Sequence, residues 1–520
     1  MMHAMSPAAR SPGATSQATL SRSAKSRDAL ARRARLLVLA GAMGLAACAV
    51  GPDFKRPPPP ASADYGRASA ELKMEPVEGP GGNAQRLVAD LDIPAQWWTL
   101  FQSPKLTAMV EESLTANPNL AAAEAALRQA HELYAAQRAS FFPALQGGFS
   151  ASHARNADAS IANPTSSTSS TYSLYTAQLT LSYVPDVFGL VRRSVEAAKA
   201  QAEGVRFQRE AVYLTLSSNV VVTAVQEAAL RGQIASTERL LALQRQITES
   251  VRGRRQLGVA SDLDLLIQQS AEAQTAATLP PLQKQLGQTR DALTALLGRL
   301  PDREPDDTFE LTDLTLPGDL PVSVPSRLVA QRPDVRQAEE NVHAASAAVG
   351  VALANMLPVF NVTADAGSSA LKLGSLFGPY TSFWDLGASL TQTLFDGGAL
   401  IHRKRAAEAA LDEAAAQYRA AVILACQNVA DTLRALQADA SALKASLEAD
   451  RAARAALDLA RGQYKLGAVS FVVVLNAEQV YEQAELALVA ARANRYADTA
   501  GLFQALGGGW WNRPGEALNE

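Results

Sequence analysis

Cysteine is nearly absent. The 520-residue chain has two, Cys48 and Cys426, too few for a disulfide framework or a cysteine-built metal cluster. Histidine is equally sparse: His3, His131, His153, His343 and His402 are widely scattered, and none forms an HExxH pair. No GxSxG or phosphate-loop pattern occurs. With no constellation of acid, base, nucleophile or metal ligands, the chain reads as no enzyme and as needing no metal. Aromatic residues make up 6%, while alanine abounds, which points to long, closely packed helices rather than a bulky globular core. Beyond the N-terminal region there is no run of 18 apolar residues, so no transmembrane helix is expected. A protein of this kind that crosses a membrane must do so as a closed barrel. The net charge is −3, yet residues 1–47 hold seven basic side chains and one acid. The remainder is therefore more acidic than the total suggests. It has no basic stripe, which argues against nucleic acid.

What is present begins with an address. The basic stretch ending at Arg35 precedes twelve apolar or small residues, 36–47. As a helix these span about 18 Å, too short for a hydrocarbon core of roughly 30 Å, and the pattern is that of a secretory signal peptide. It closes on Leu45-Ala46-Ala47-Cys48, which resembles the bacterial lipobox. The resemblance implies cleavage before Cys48 and acylation of that residue, the one covalent group expected. Ala49 in the next position favours the outer membrane by the same analogy.

The rest is written twice. Phe142-Pro143-Ala144-Leu145 returns as Leu357-Pro358-Val359-Phe360, and Asn117-Pro118-Asn119-Leu120 as Arg332-Pro333-Asp334-Val335. Gln256-Leu257-Gly258-Val259-Ala260-Ser261 returns as Lys465-Leu466-Gly467-Ala468-Val469-Ser470, and Leu297-Gly298 as Leu506-Gly507. The expected organisation is a signal peptide (1–47), an N-terminal segment (48–96), a first repeat (97–300), a Pro/Asp-rich connector (301–325), a second repeat (326–510) and a tail (511–520). Each repeat reads as a helix, a strand pair (144–184 or 359–396), a very long helix (189–257 or 399–466), a Leu-Gly turn and a last helix (262–298 or 471–506).

Residues 399–461 contain neither Gly nor Pro and would extend about 95 Å as helix. Val422, Val429, Leu436 and Leu443 recur every seven residues, and Cys426, Leu433, Ala440 and Leu447 follow four positions later. This is a coiled-coil seam, in which Cys426 reads as a packing residue. The strand segments alternate. Tyr175, Ala177, Leu179, Leu181 and Tyr183 share one face, as do Trp384, Leu386, Ala388, Leu390 and Leu394, with Gln392 as the exception; Thr, Ser, Gln and Asp, with Leu174, fall on the other. Such alternation suits lipid-facing barrel strands or a half-buried sheet in a soluble domain; the anchor and the missing transmembrane helix favour the barrel. Four strands cannot close one, so copies must combine. Two copies give eight strands around a filled interior, and three give twelve around a wider lumen.

Trp97-Trp98-Thr99-Leu100-Phe101-Gln102-Ser103-Pro104-Lys105-Leu106, the mature start Cys48-Ala49-Val50-Gly51-Pro52-Asp53-Phe54, the second-half Pro325-Ser326-Arg327-Leu328 with Arg332-Pro333-Asp334, and the corner Leu394-Phe395-Asp396-Gly397-Gly398 resemble the outer-membrane efflux factors of the TolC superfamily, in their OprM/NodT-like lipoprotein branch. The resemblance covers Cys48 to about Trp510. It implies an α+β membrane protein: a homotrimer whose 12-stranded transmembrane β-barrel continues into a long periplasmic α-helical barrel girdled by an equatorial belt. It implies contact with outer-membrane lipid, a periplasmic adaptor and an inner-membrane pump of the RND type, and export of small toxic compounds. Leu257, Gly258 and Ser261, with Leu466, Gly467 and Ser470, would be the adaptor-contact turns at the periplasmic tip. Many relatives place an acid in the segment after the second turn; Asn476 stands at that position. A neutral constriction of Val472, Val473 and Asn476 is then expected, unless the valines simply pack the helix pair. Asp262 and Asp264 supply rim charge or act as helix N-terminal acids. Two alternatives remain: a TolC-like duct for type I protein secretion, and a structural periplasmic coiled-coil lipoprotein.

Overall fold

The computed structural model describes residues 49–60, 65, 73–74, 76–155 and 171–513. The signal peptide, Cys48 and most of the first inter-strand loop lie outside them. In chain order the elements are β1 (Lys73–Met74), β2 (Gln85–Ala89), α1 (Pro104–Ala116), α2 (Pro118–Arg138), β3 (Ala144–Arg155), β4 (Thr171–Tyr183), α3 (Leu190–Gln256), α4 (Asp262–Leu296), β5 (Asp319–Val322), α5 (Pro325–Gln331), α6 (Pro333–Ala354), β6 (Val359–Ala370), β7 (Ser382–Thr391), α7 (Ala399–Lys465) and α8 (Phe471–Ala505). The two halves repeat the series helix, helix, strand, strand, long helix, helix. The long helices α3 and α7 are each 67 residues, and α4 and α8 each 35. Two prolines, Pro280 and Pro281, lie inside α4, where each removes a backbone donor from the helical ladder.

Each repeated Leu-Gly ends a helix in the same way. At the first tip turn the Val259 N–H donates to Arg254 O and the Gly258 N–H to Arg255 O, both at 2.9 Å. At the second, Ala468 donates to Gln463 O and Gly467 to Tyr464 O. This double bond is the Schellman closure, and it needs a left-handed residue at the glycine. Gly258 and Gly467 have φ of +74° and +76°, and a Cβ at either would meet nothing within 4 Å. Gly298 and Gly507 close α4 and α8 with the same bonds. There a Cβ would lie 2.5 Å from Ala116 O or 2.6 Å from Gln331 O, because the chain passes tightly beside the start of α2 or α6.

The chain forms two compact units. One contains an antiparallel four-stranded sheet in the order β3-β4-β6-β7. Its register decides what each face carries. Leu145 pairs with Leu181, Leu181 with Ala364 and Ala364 with Leu386; Leu179 pairs with Ala366, and Ala366 with Trp384. Directly paired residues share a face, so the apolar alternates of all four strands fall on one side. Gln146, Thr180, Asp365 and Asp385 pair in series on the other. There the Thr180 hydroxyl donates to Asp365 at 2.5 Å, and Thr176 and Ser369 share a 3.0 Å bond. β7 ends at Thr391, so Leu394 is not a strand residue, contrary to the sequence reading, and the pair 359–396 is shorter than expected. The Asp396 carboxylate instead accepts from the Gly398 and Leu400 N–H groups at 2.9 and 2.8 Å. That cap stops the strand and starts α7.

The other unit carries a small sheet, β1-β2-β5, and an aromatic core. Trp97 stacks on Phe503 with centroids 5.4 Å apart, and Trp98 and Phe101 are fully buried. The Tyr496 hydroxyl donates to Leu314 O at 2.8 Å and accepts from the Gly81 N–H at 2.9 Å. The Trp510 indole donates to Gln331 O at 2.6 Å. In this way residues of the N-terminal segment, the connector and the C-terminus gather on the end of α8. The α7 seam buries Val429, Leu433, Leu436 and Leu443. Ala425 is buried as well, whereas Cys426, assigned to the seam from its spacing, is only half-buried.

Candidate functional site: the paired helical tips

Both tip turns belong to one structure. Phe471, the first residue of α8, is 4% exposed and packs with Val251 of α3 and Leu265 of α4, beside Ile247, Ala260, Tyr464 and Leu475. Its ring meets Tyr464 edge-on at 5.6 Å, and the Arg254 guanidinium lies 4.5 Å over the Tyr464 ring. The two hairpins are thus joined at their ends by a shared apolar plug. From the sequence, Phe471 has no role beyond opening the last helix.

Leu257, Gly258 and Ser261, and Leu466, Gly467 and Ser470, are all exposed. Ser261 caps α4: its hydroxyl accepts from the Asp264 N–H at 3.1 Å, and the Asp264 carboxylate accepts from the Ser261 N–H at 3.0 Å. The Ser261 N–H and, at 2.8 Å, the Ser261 hydroxyl both donate to the Asp264 carboxylate and hold it below the usual carboxylate range. Asp262 pairs with Arg255. Both acids are thereby engaged at the turn itself. Ser470 makes no side-chain cap bond.

After Phe471, α8 turns one face outward. Val472 (47% exposed), Val473 (44%), Asn476, Gln479, Val480 and Gln483 line it, with no charged side chain among them. Val474 and Glu478 point inward. Glu478 is 0% exposed and faces Arg461 of α7 at 3.4 Å. Burial pushes its carboxyl up, and Arg461 draws it partly back. Around it Leu457, Ala460 and Val474 form an apolar cluster with Tyr464, Ala477 and Tyr481. Sequence reading settled on Asn476 and passed over Glu478. The available signal was spacing: Phe471, Val474 and Glu478 step by three and four, the seam of a helix.

In the sheet, Leu179 and Trp384, Leu386 and Leu390 are exposed on the apolar face, Trp384 by 80%; Tyr175, Leu181 and Tyr183 on the same face are half-buried by their strand neighbours. The described chain just past Cys48 is fastened beneath this sheet. The Val50 N–H donates to Phe188 O at 3.1 Å, and Arg193 donates to Val50 O at 3.1 Å and to the Asp53 carboxylate at 2.7 Å. Among the described residues, no helix is long and apolar enough to cross a membrane.

Comparison with known proteins agrees with this geometry. The chain is 30% identical over 417 residues to the pyoverdine export outer membrane protein OpmQ of Pseudomonas putida, covering 80% of this chain and 88% of that one. It is 27% identical over 478 residues to the probable efflux pump outer membrane protein TtgC of the same species, covering 91% and 95%. The structure of the outer-membrane channel OprN superposes with a TM-score of 0.80 at 27% identity, over 89% of this chain and all of that one. The fold is therefore that of TolC-like channels, an α-helical barrel with a β domain. Residues 109–299 and 324–508, one stretch from each repeat, match the family described as outer membrane efflux protein, and the chain belongs to that family of outer-membrane channels, which are not enzymes.

Proposed function

We propose that the chain is the acylated, trimeric outer-membrane duct of a tripartite pump exporting small toxic compounds, and that its periplasmic constriction is uncharged. The observation that carries the reading of the constriction is the outward face of α8, where Val472, Val473, Asn476, Gln479, Val480 and Gln483 follow one another without a carboxylate. Where an acid stands at such a position in three copies, like charges converge and hold cations; Asn476 removes that attraction.

Association of copies follows from the sheet's two unpaired edges, β3 and β7, which hydrocarbon does not tolerate; the number three rests on the resemblance to the family and gives twelve strands and a lumen. The apolar face with Tyr175, Leu179, Leu181, Tyr183, Trp384, Leu386 and Leu390 is then the lipid face, and the Asp365 and Asp385 side lines water. Acylation at Cys48 is supported by the attachment of Val50 and Asp53 just below the strand ends, which leaves a lipid on the neighbouring residue within reach of the bilayer. The exposed turns Leu257, Gly258, Ser261, Leu466, Gly467 and Ser470 are the surface for a periplasmic adaptor, itself joined to an inner-membrane pump of the RND type.

The test is conductance in planar bilayers with increasing divalent cation. The native channel is expected to be blocked weakly and Asn476→Asp strongly. Equal block of the two would remove Asn476 from the constriction.

A further inference from the structure

The run Val472-Val473-Val474 poses a packing problem. Successive residues of a helix are rotated by about 100°, so Val473 and Val474 could each fill the same place in the seam, and the valines by themselves do not choose between them. Phe471 in its plug fixes the start of the segment, but the valine run itself carries no phase. One polar contact in the seam does discriminate. Glu478 lies one turn beyond Val474, fully buried within its own chain, and meets Arg461, whose side chain is 23% exposed. Turning α8 by one residue would carry the carboxylate away from the guanidinium to the exposed position now held by Gln479 and leave the partly buried Arg461 without this partner.

The pair is poorly suited to a purely stabilising role. Its separation is 3.4 Å. Glu478 Oε2 and Arg461 Nε have no hydrogen-bond partner among the described residues. Its surroundings are apolar, and a buried ion pair in such a setting is commonly replaceable by apolar side chains without loss of stability. A polar residue in an apolar helix seam is best established as a device that specifies register.

We propose that Glu478 and Arg461 are positioning residues: their ion pair sets the rotation of α8 against α7 and thereby aims Val472, Val473 and Asn476 into the conduit. Neither side chain touches the exported compound. The proposal rests on the reading of that face as the constriction.

Native protein, Glu478→Gln and the double variant Glu478→Met/Arg461→Met are compared by thermal melting and by unitary conductance in planar bilayers. The double variant, which removes both charges, is expected to keep the native melting temperature but to lose the single native conductance level, with Glu478→Gln shifted in the same direction. Native conductance in the double variant overturns the proposal, as does a conductance change accompanied by a matching loss of melting temperature, because that is what a merely structural pair produces. Asn476→Asp is the control in the same bilayers. Divalent block by Asn476→Asp together with native conductance in the double variant defeats the cross-tie alone. Absence of block defeats the constriction reading, whatever the cross-tie variants do.

Discussion

The two helical hairpins share a backbone plan and differ in what holds them together. In the first, α3 and α4 meet through many polar groups, among them the ion pair of Arg290 with the buried Glu227 at 2.9 Å. Gln244 and Gln268 are buried, the Gln268 amide donates to Gln244 O at 3.3 Å, and the Thr248 hydroxyl donates to Glu272 at 2.8 Å. The corresponding positions of the second hairpin, read along the repeat, are Ala453, Leu457 and Ala477, and its seam is apolar. Its charged exceptions are Arg461 with Glu478 and, further along, Asp439 with Asp498, where the first repeat has Leu230 and Thr289. Directional hydrogen bonds fix one helix against another; an apolar seam with a few buried charges has fewer constraints on sliding and rotation. The comparison teaches that one duplicated architecture contains a pinned hairpin and a freer one, and that the freer one carries the face proposed as the constriction.

Three changes break or sharpen this contrast. The largest effect is expected from Phe471→Ala, which empties the plug joining the hairpins and destabilises the tip by about 3–5 kcal/mol. Amide exchange should accelerate at the ends of both hairpins; acceleration in the second alone would mean that the plug does not couple them. An intermediate effect is expected from pH. Burial, and then the Asp498 carboxyl beside it, push Asp439 up to about 7 from an unfolded value of 3.8, against the pull of Arg495. The folded state therefore binds the extra proton between those values, and stability contributed by this site is present below pH 4 and lost as pH rises towards 7. Melting curves from pH 4 to 8 should show that slope, and Asp439→Asn should flatten it; an unchanged slope would assign the pH dependence elsewhere. The smallest effect separates the two turns. Ser261→Ala removes a cap and costs about 1 kcal/mol, whereas Ser470→Ala, with no cap bond to lose, should change stability by less than about 0.5 kcal/mol. Equal losses would show that the turns are held alike.

Much of the fold was legible because its signals are local and repeated. The Leu-Gly turns announce left-handed helix ends, and the absence of Gly and Pro from 399–461 leaves α7 uninterrupted. Alternation in 172–183 and 384–390 marks two-faced strands. The misreadings have equally local causes. Leu394 continues the alternation of β7 in sequence, but Asp396 caps the next helix and ends pairing at Thr391. Cys426 matches the heptad spacing, while the described packing buries Ala425. At the candidate site Val472, Val473 and Asn476, singled out from the sequence, are exposed, but the buried Phe471 and Glu478 were not picked out, because three consecutive valines carry no helical phase.

The sequence by itself determined the duplication, the rod-like helices, the two-faced strands and the chemistry of the tips, since each depends on spacing within one segment. Tertiary structure alone decided that β4 pairs with β6 across the two repeats, that Phe471 closes both hairpins at once, and that Glu478 rather than Asn476 turns inward to Arg461. Those outcomes depend on which surfaces, distant in the chain, are packed together. A buried charge is tolerated only where its partner has already been placed.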